Sequence, residues 1–529
     1  MSDNPNLPNP PGSASAARPV DPDAAKRQRE KVEQLLARAP VVSSGSVTLD
    51  NGKALGYGVR AAFVPVAAGG MDAQRGEPQA AVFTVAYLAA EPATRPTTRP
   101  ATPPNTAPGR TAPGAPRPVC FAFNGGPGSA SVWLHLGALG PKRVPVNDDG
   151  SLLPPPYAVV DNPLTWLKFF DLVFIDPPHT GWSASASDDA RKAHLSVDGD
   201  VAALAEVMRA WLAANGRFGA PLYLAGESYG TTRGAGIANV LQEMGLALSG
   251  LILVSCAMDL QSLVFSPRND LPYALFLPAY ANTAQYHGML KGAVGASPQA
   301  ARAAAEDFVQ DDYLAALHAG ARLDGRARLR IEKRLAELTG LALPVVQENN
   351  LRISDARFFV EALRPRGLLV GRLESRATAP LAASRERDML FDPGIEGIAI
   401  PYTTAMLAYY AALGLPTEAR YETLSEDVHK GWNWQRGSSG DAGPGGFTTT
   451  SADLARAMRR NPHMKVLVAS GRYDLGTPYS ASDWSLAQLD APPAVLARIE
   501  HRYYDAGHMM YTRQADLAQL QADLAAWLG

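Results

Sequence analysis

One serine in this sequence stands where a nucleophile would. The stretch "YLAGESYG" places Ser228 in Gly226-Glu227-Ser228-Tyr229-Gly230, a G-x-S-x-G pattern directly after an apolar run and before a helical one. A strand that turns sharply into a helix holds such a serine in a strained backbone, above the sheet and at a helix N-terminus. A serine hydroxyl is a weak nucleophile, so it needs a base and an acid that orients the base. On a strand–turn–helix serine these follow in the order Ser, Asp, His. "KVLVASGRYDLGTP" puts Asp474 just past a strand end, and "HRYYDAGHMMY" puts His508 on a Gly-containing loop after the last strand. Asp483 and Asp490 lie further on, in and near the end of a helical stretch; Asp505 reads as a turn residue, and His501 falls inside a strand pattern. His135, His194, His287, His318, His429 and His463 read as structural, and His179 in "DPPHTGW" as a loop residue.

A second stretch, "FAFNGGPGSAS" (121–131), leaves a core strand through a nearly bare turn. A phosphate loop needs Lys-Ser/Thr after its glycines, and none follows here. Ahead of a nucleophile strand, the bare turn instead suits an oxyanion hole: the Gly126 amide as one donor and the Tyr229 amide, next to Ser228, as the other.

These residues need a scaffold, and the pattern around them supplies one. "PVCFAFN", "FDLVFID", "PLYLAGES" and "LSGLILVSC" are short, continuously apolar runs, as buried parallel strands should be. "HMKVLVASGRYD" and "ARIEHRYYDAGH" add two strands near the C-terminus, and helical patterns at 200–215, 231–245 and 513–529 alternate with them. The reading is α/β, with a mainly parallel central sheet and helices on both faces. "SVTLDNGKALGYGVRAAFVPV" predicts a hairpin around Asn51-Gly52, with another strand in "AAVFTVAYLA". Residues 1–24 read as a disordered N-terminal segment and 25–260 as the first part of the core, with a Pro/Thr/Ala-rich loop over 91–118. Residues 261–400 are helical and Ala-rich, as an inserted cap would be, and 401–529 complete the core.

Composition narrows the function. The 529 residues carry a net charge of −2, with no basic patch for nucleic acid. Cys120 and Cys256, the two cysteines, form no disulfide framework and match no zinc-ligand spacing. No stretch has the roughly 18 apolar residues of a membrane span, and the N-terminus lacks the apolar run of a secretory signal. The expected location of the sequence as given is therefore cytoplasmic, with export if the true start differs.

Taken together, the motifs resemble the serine carboxypeptidase family, an α/β-hydrolase group. "NGGPGS" matches its N-G-G-P-G signature and "GESYG" its nucleophile elbow, while "DLVFIDPPHTGWSAS", "GRYD" and "AGHM" look like its further segments in order. The resemblance spans about 118–260 and 400–529. It implies an α/β-hydrolase fold and release of C-terminal residues through an acyl-enzyme on Ser228, Asp474 and His508, with no metal or cofactor. It also implies that Asn124, the Gly125 amide and a protonated Glu227 bind the substrate's terminal carboxylate, two carboxyls sharing one proton in a dry site. Partners would be peptides with a free C-terminus, neither nucleic acid nor membrane, with a homodimer left open. Ala122 stands where the family usually has Trp, Ser129 where many relatives have a disulfide cysteine, and "LGTP" where a Cys-Asn segment often follows the acid. An esterase or acyltransferase on the same parts is the alternative, and a catalytically dead binding protein the remote one.

Overall fold

The computed structural model describes residues 22–67, 76–90, 116–382, 389–437 and 446–529. Nine strands carry the architecture: β1 (Val41–Thr48), β2 (Ala54–Ala67), β3 (Pro78–Ala89), β4 (Val119–Phe123), β5 (Asp171–Ile175), β6 (Leu222–Glu227), β7 (Leu248–Val254), β8 (Lys465–Gly471) and β9 (Ile499–Tyr504). They lie in the order β1-β2-β3-β5-β4-β6-β7-β8-β9, with the pair Ala184–Ser185 added beside β3. From β1 to β5 neighbours run antiparallel; from β5 to β9 they run parallel. This is the mainly parallel sheet that the α/β pattern predicts, and β1 and β2 pair as the hairpin around Asn51-Gly52.

The continuous apolar runs have a simple cause. Every residue of β4 and β5 is buried, because helices cover both faces and no position can be left polar. One face packs under α4 (Pro393–Ala412) and α7 (Gln514–Leu528), with Cys120, Ala122, Ala225, Tyr402, Tyr511 and Leu520 in one cluster. The other packs under α2 (Val197–Ala214), α3 (Tyr229–Glu243) and α6 (Ser451–Arg460), with Phe121, Leu224, Leu253 and Val468 in a second. The inserted region builds its own cluster around Tyr280, Leu335 and Phe358. Leu475, next to the candidate acid Asp474, belongs to that third cluster, so the insertion is anchored on an active-site loop.

Two boundaries differ from the sequence reading. Helix α1 (Pro22–Ala37) begins within 1–24, where Asp23 enters its first turn; the rest of that segment lies outside the described residues. Most of the 91–118 loop also lies outside them. The limit at 400 falls inside α4, whose Ile398, Tyr402, Ala405, Met406 and Tyr410 are buried in the first core cluster. Apolar residues surround that helix, so its sequence shows no one-sided stripe to mark it as core. The insertion also contains a short antiparallel ribbon, Leu368–Val370 with Thr378–Pro380.

Candidate active site

The elbow forms as its sequence demands. β6 ends at Glu227, α3 starts at Tyr229, and Ser228 between them sits at φ 60°, ψ −130°. That region is costly for a residue with a Cβ, on the order of 1–3 kcal/mol. The turn is tight enough that a Cβ on Gly226 would lie 2.2 Å from the Gly230 carbonyl. The oxyanion loop is stacked on it: a Cβ on Gly125 would meet the Tyr229 amide nitrogen at 2.5 Å. Gly125 is therefore bare because two backbones touch there. Gly126, one residue on, is exposed, and Ser228 is partly so.

His508 and Asp474 arrive from the ends of β9 and β8. His508 Nδ1 and Asp474 Oδ2 are 2.8 Å apart, with both side chains buried. Asp474 Oδ1 accepts from the amides of Gly476 (2.7 Å) and Thr477 (2.9 Å), and its Oδ2 also accepts from the Thr477 hydroxyl at 2.7 Å. Burial alone would raise the Asp474 carboxyl, but His508 and these donors outweigh it and hold it below its usual range. Burial likewise works against a charged His508, and Asp474 overcomes it, raising the imidazole above its ordinary value. The His508 loop is pinned from outside the pattern. The Ser255 hydroxyl donates to the His508 carbonyl (2.6 Å), the His508 amide to Leu373 (2.6 Å), and the Gly507 amide to Glu374 Oε2 (2.8 Å).

Asn124 and Glu227 meet next to this base. Asn124 is 1% exposed; its Oδ1 accepts from the Leu134 amide at 3.0 Å. Its Nδ2 lies close enough to Glu227 and Tyr511 to act on both, but aligns a well-formed hydrogen bond with neither. Glu227 is 3% exposed, and its Oε2 accepts from the Tyr511 hydroxyl at 2.5 Å. Burial raises its carboxyl to about 7, against the pull of His508, Tyr511 and Asn124. A buried amide donor whose hydrogen bond is left this poorly aligned is rare.

Ala122 does not loosen Asn124, because other groups fix it. Besides the Leu134 bond, the Asn124 carbonyl accepts from Arg233 Nη1 at 2.6 Å. Arg233 has no exposed surface; its Nε donates to Asp200 Oδ2 at 2.7 Å, and its guanidinium lies over the rings of Phe123 and Tyr229. One buried cation thus ties the oxyanion loop to the elbow. Arg233→Met should cost about 3–5 kcal/mol, since it strands the Asp200 carboxylate. Urea unfolding measures this; a midpoint equal to wild type would show that the pair carries no load.

The competing residues are accounted for. Ser470 Oγ, His501 and Asp483 form a chain with contacts of 2.8 and 2.9 Å. Ser470, next to the last residue of β8, has no exposed surface, so no substrate reaches it. Asp490 pairs with Arg459 and Asp505 with Arg472, both at the surface. His179 joins Ser185 and His194 in a separate wall, facing α1. His429 lies on α5 (Glu426–Gly431), outside the insertion. The structure thus joins Asp474 to His508, stacks Gly125 on the Tyr229 amide, and sets Glu227, the residue before Ser228, with Asn124 in the field of His508; the Ser228 hydroxyl makes no hydrogen bond to His508 in this structure. Thr477, Ser255, Arg233, Tyr511 and the segment 371–377 were not foreseen. Only Tyr511, a polar aromatic closing the apolar "HMMY", carried a visible signal. Among the described residues there is no cluster suited to a metal ion, and no helix is long and apolar enough to cross a membrane.

Comparison with known proteins bears on the first half of this site. Residues 111–246, which hold the oxyanion loop and the elbow, match the family model described as serine carboxypeptidase. No curated protein matches. Among solved structures, the prohormone-processing carboxypeptidase Kex1 of Saccharomyces cerevisiae aligns over 89% of this chain and 91% of its own, with TM-score 0.50 and 13% identity. That likeness is one of fold. A proline iminopeptidase of Mycobacterium smegmatis (12% identity, 92% and 97% covered, TM-score 0.32) is a more distant match. So is an acetylester hydrolase of Corynebacterium glutamicum (11% identity, 93% and 96% covered, TM-score 0.33).

Proposed function

We propose that this chain, a serine carboxypeptidase of the α/β-hydrolase fold, cleaves the last peptide bond through Ser228 and selects that bond by gripping the terminal carboxylate. His508 takes the proton from the Ser228 hydroxyl as that oxygen attacks the carbonyl carbon. Asp474 holds His508 in the tautomer with Nε2 free and stabilises its cation. The Gly126 and Tyr229 amides receive the developing oxyanion. The tetrahedral species collapses as His508 gives its proton to the leaving amine. Water, deprotonated by the same imidazole, then frees the acyl group from Ser228.

One observation carries the choice of terminal bond: the Asn124 amide, buried and poorly aligned with its neighbours, beside a Glu227 carboxyl that burial raises to about 7. A substrate carboxylate satisfies the Asn124 donor and takes a second hydrogen bond from protonated Glu227. An internal peptide bond offers no such anion.

The test compares a blocked dipeptide with its C-terminal amide. The free acid is expected to turn over at least tenfold faster, and equal rates would discard the grip in favour of esterase or acyl-transfer chemistry. The pH dependence gives a sharper check. Below about pH 7 Glu227 holds its proton and donates; above it, a second anion faces the substrate. Wild-type kcat/KM should therefore fall on the alkaline side, by roughly tenfold per unit once Glu227 is ionised. In Glu227→Gln the side chain stays neutral, so that alkaline fall should vanish. A variant profile that keeps it would remove Glu227 from carboxylate binding.

A further inference from the structure

The segment 371–377 docks on both triad loops. The Leu475 amide donates to the Arg372 carbonyl at 2.9 Å and the His508 amide to the Leu373 carbonyl at 2.6 Å. The Arg372 and Leu373 amides are held in turn by the Asp392 carboxylate, at 2.8 and 3.1 Å. The backbone at Arg372 is thus fixed within one turn of the catalytic acid and base. Its side chain is treated differently: it is exposed, and among the described residues its guanidinium has neither an ion pair nor a hydrogen bond. A Cβ on Gly476, two residues past Asp474, would lie 3.5 Å from the guanidinium carbon. Arg372 is also near enough to His508 and His429 to oppose their protonation. Asp355 is the acidic group in its field, yet the two make no ion pair.

The side of the cleft matters. Asn124, Glu227 and Tyr511 take the terminal carboxylate over the sheet face covered by α4 and α7. Gly476 leads into the helix Tyr479–Ala487, whose Leu486 packs with the cluster of the opposite face. His429 sits on α5, whose Val428 packs with Tyr229 and Trp432 at the start of α3. The Arg372 backbone is held at the N-terminus of α4 by Asp392, while its guanidinium reaches toward Gly476 and His429, beside the acid loop and the elbow. A rigid backbone presenting a free guanidinium there is built to take a carboxylate, which matches its planar fork.

We infer that Arg372 selects an acidic residue immediately before the scissile bond, so that preferred substrates end in Glu-X or Asp-X. The inference rests on the carboxypeptidase reading and narrows its substrate class. At a partly exposed site the attraction is screened, so the preference should be moderate and should shrink with salt.

Blocked dipeptides with Glu, Gln or Lys at the penultimate position and Ala at the end test this, with a matched series varying the last residue. For wild type at low salt, kcat/KM for Glu should exceed Gln by about tenfold. Arg372→Gln should bring that ratio to near one, Arg372→Lys should keep part of it, and Arg372→Glu should favour the Lys peptide. A Glu/Gln ratio that persists in Arg372→Gln, or one that appears only when the last residue is varied, overturns the assignment. Peptidase failure looks different: Ser228 labels with a fluorophosphonate, yet no free-acid dipeptide of either series turns over. That result would fell the carboxypeptidase reading and this inference with it.

Discussion

Ser228→Gly is expected to abolish peptide hydrolysis while making the protein more stable. The activity side follows from chemistry. Without the hydroxyl there is no acyl-enzyme, and losing a triad nucleophile costs on the order of 10⁶ in kcat in the best-studied serine peptidases. The stability side follows from the backbone. At φ 60°, ψ −130°, Ser228 occupies a region where a Cβ is strained and glycine is not. Relief of about 1–3 kcal/mol competes with glycine's greater freedom in the unfolded chain, about 0.5–1 kcal/mol. The net gain should be about 1 kcal/mol, read as a higher Tm or urea midpoint. The surroundings can accept the change. The Ser228 amide still donates to the Val254 carbonyl at 2.9 Å, and the Ser228 hydroxyl carries no hydrogen bond that would be lost. A variant less stable than wild type would mean that the elbow is not strained, and that its geometry comes from the serine side chain itself.

This trade explains which parts of the site were legible in the sequence. The elbow, the oxyanion loop, Asp474 and His508 are each set by a strand end and a few residues of turn. Gly226 and Gly125 are forced by contacts of backbone with backbone, so residue type and spacing reveal them. Arg233 was hidden because nothing local distinguishes it from a helix-surface arginine. Its burial arises only when β4, α2 and α3 close around it. The same holds for Glu374, which reaches the Gly507 amide from 133 residues away, and for α4, whose evenly apolar sequence gave no sign of which neighbours it serves. Ala122 was the misleading signal. The family resemblance put a large side chain at that position, whereas hydrogen bonds from Leu134 and Arg233 hold Asn124 without one.

The same attention to hydrogen bonds fixes what an asparagine would do at position 474. Asp474 Oδ1 accepts from two backbone amides, and these cannot turn into acceptors. In Asp474→Asn the carbonyl oxygen must therefore stay on that side, which drives the NH₂ group toward His508 Nδ1 and Thr477. Thr477 can rotate its hydroxyl and accept. His508 Nδ1, 2.8 Å away, can accept only by giving up its proton, which moves to Nε2. That tautomer presents a donor to Ser228 where a base is needed. A fall of about 10⁴ in kcat follows, the size seen when this position is changed in another serine peptidase. The pH profile should move as well. In wild type the imidazole is raised above 6.5 chiefly by the Asp474 charge acting against burial, so the acid limb of kcat/KM lies above that value. Without the charge, burial is unopposed and the His508 pKa drops, so the residual activity should persist to lower pH than wild type. Stopped assays across pH 4–8 read both effects. A loss smaller than tenfold, or an acid limb that stays in place, would show that Asp474 is not the group that orients the base.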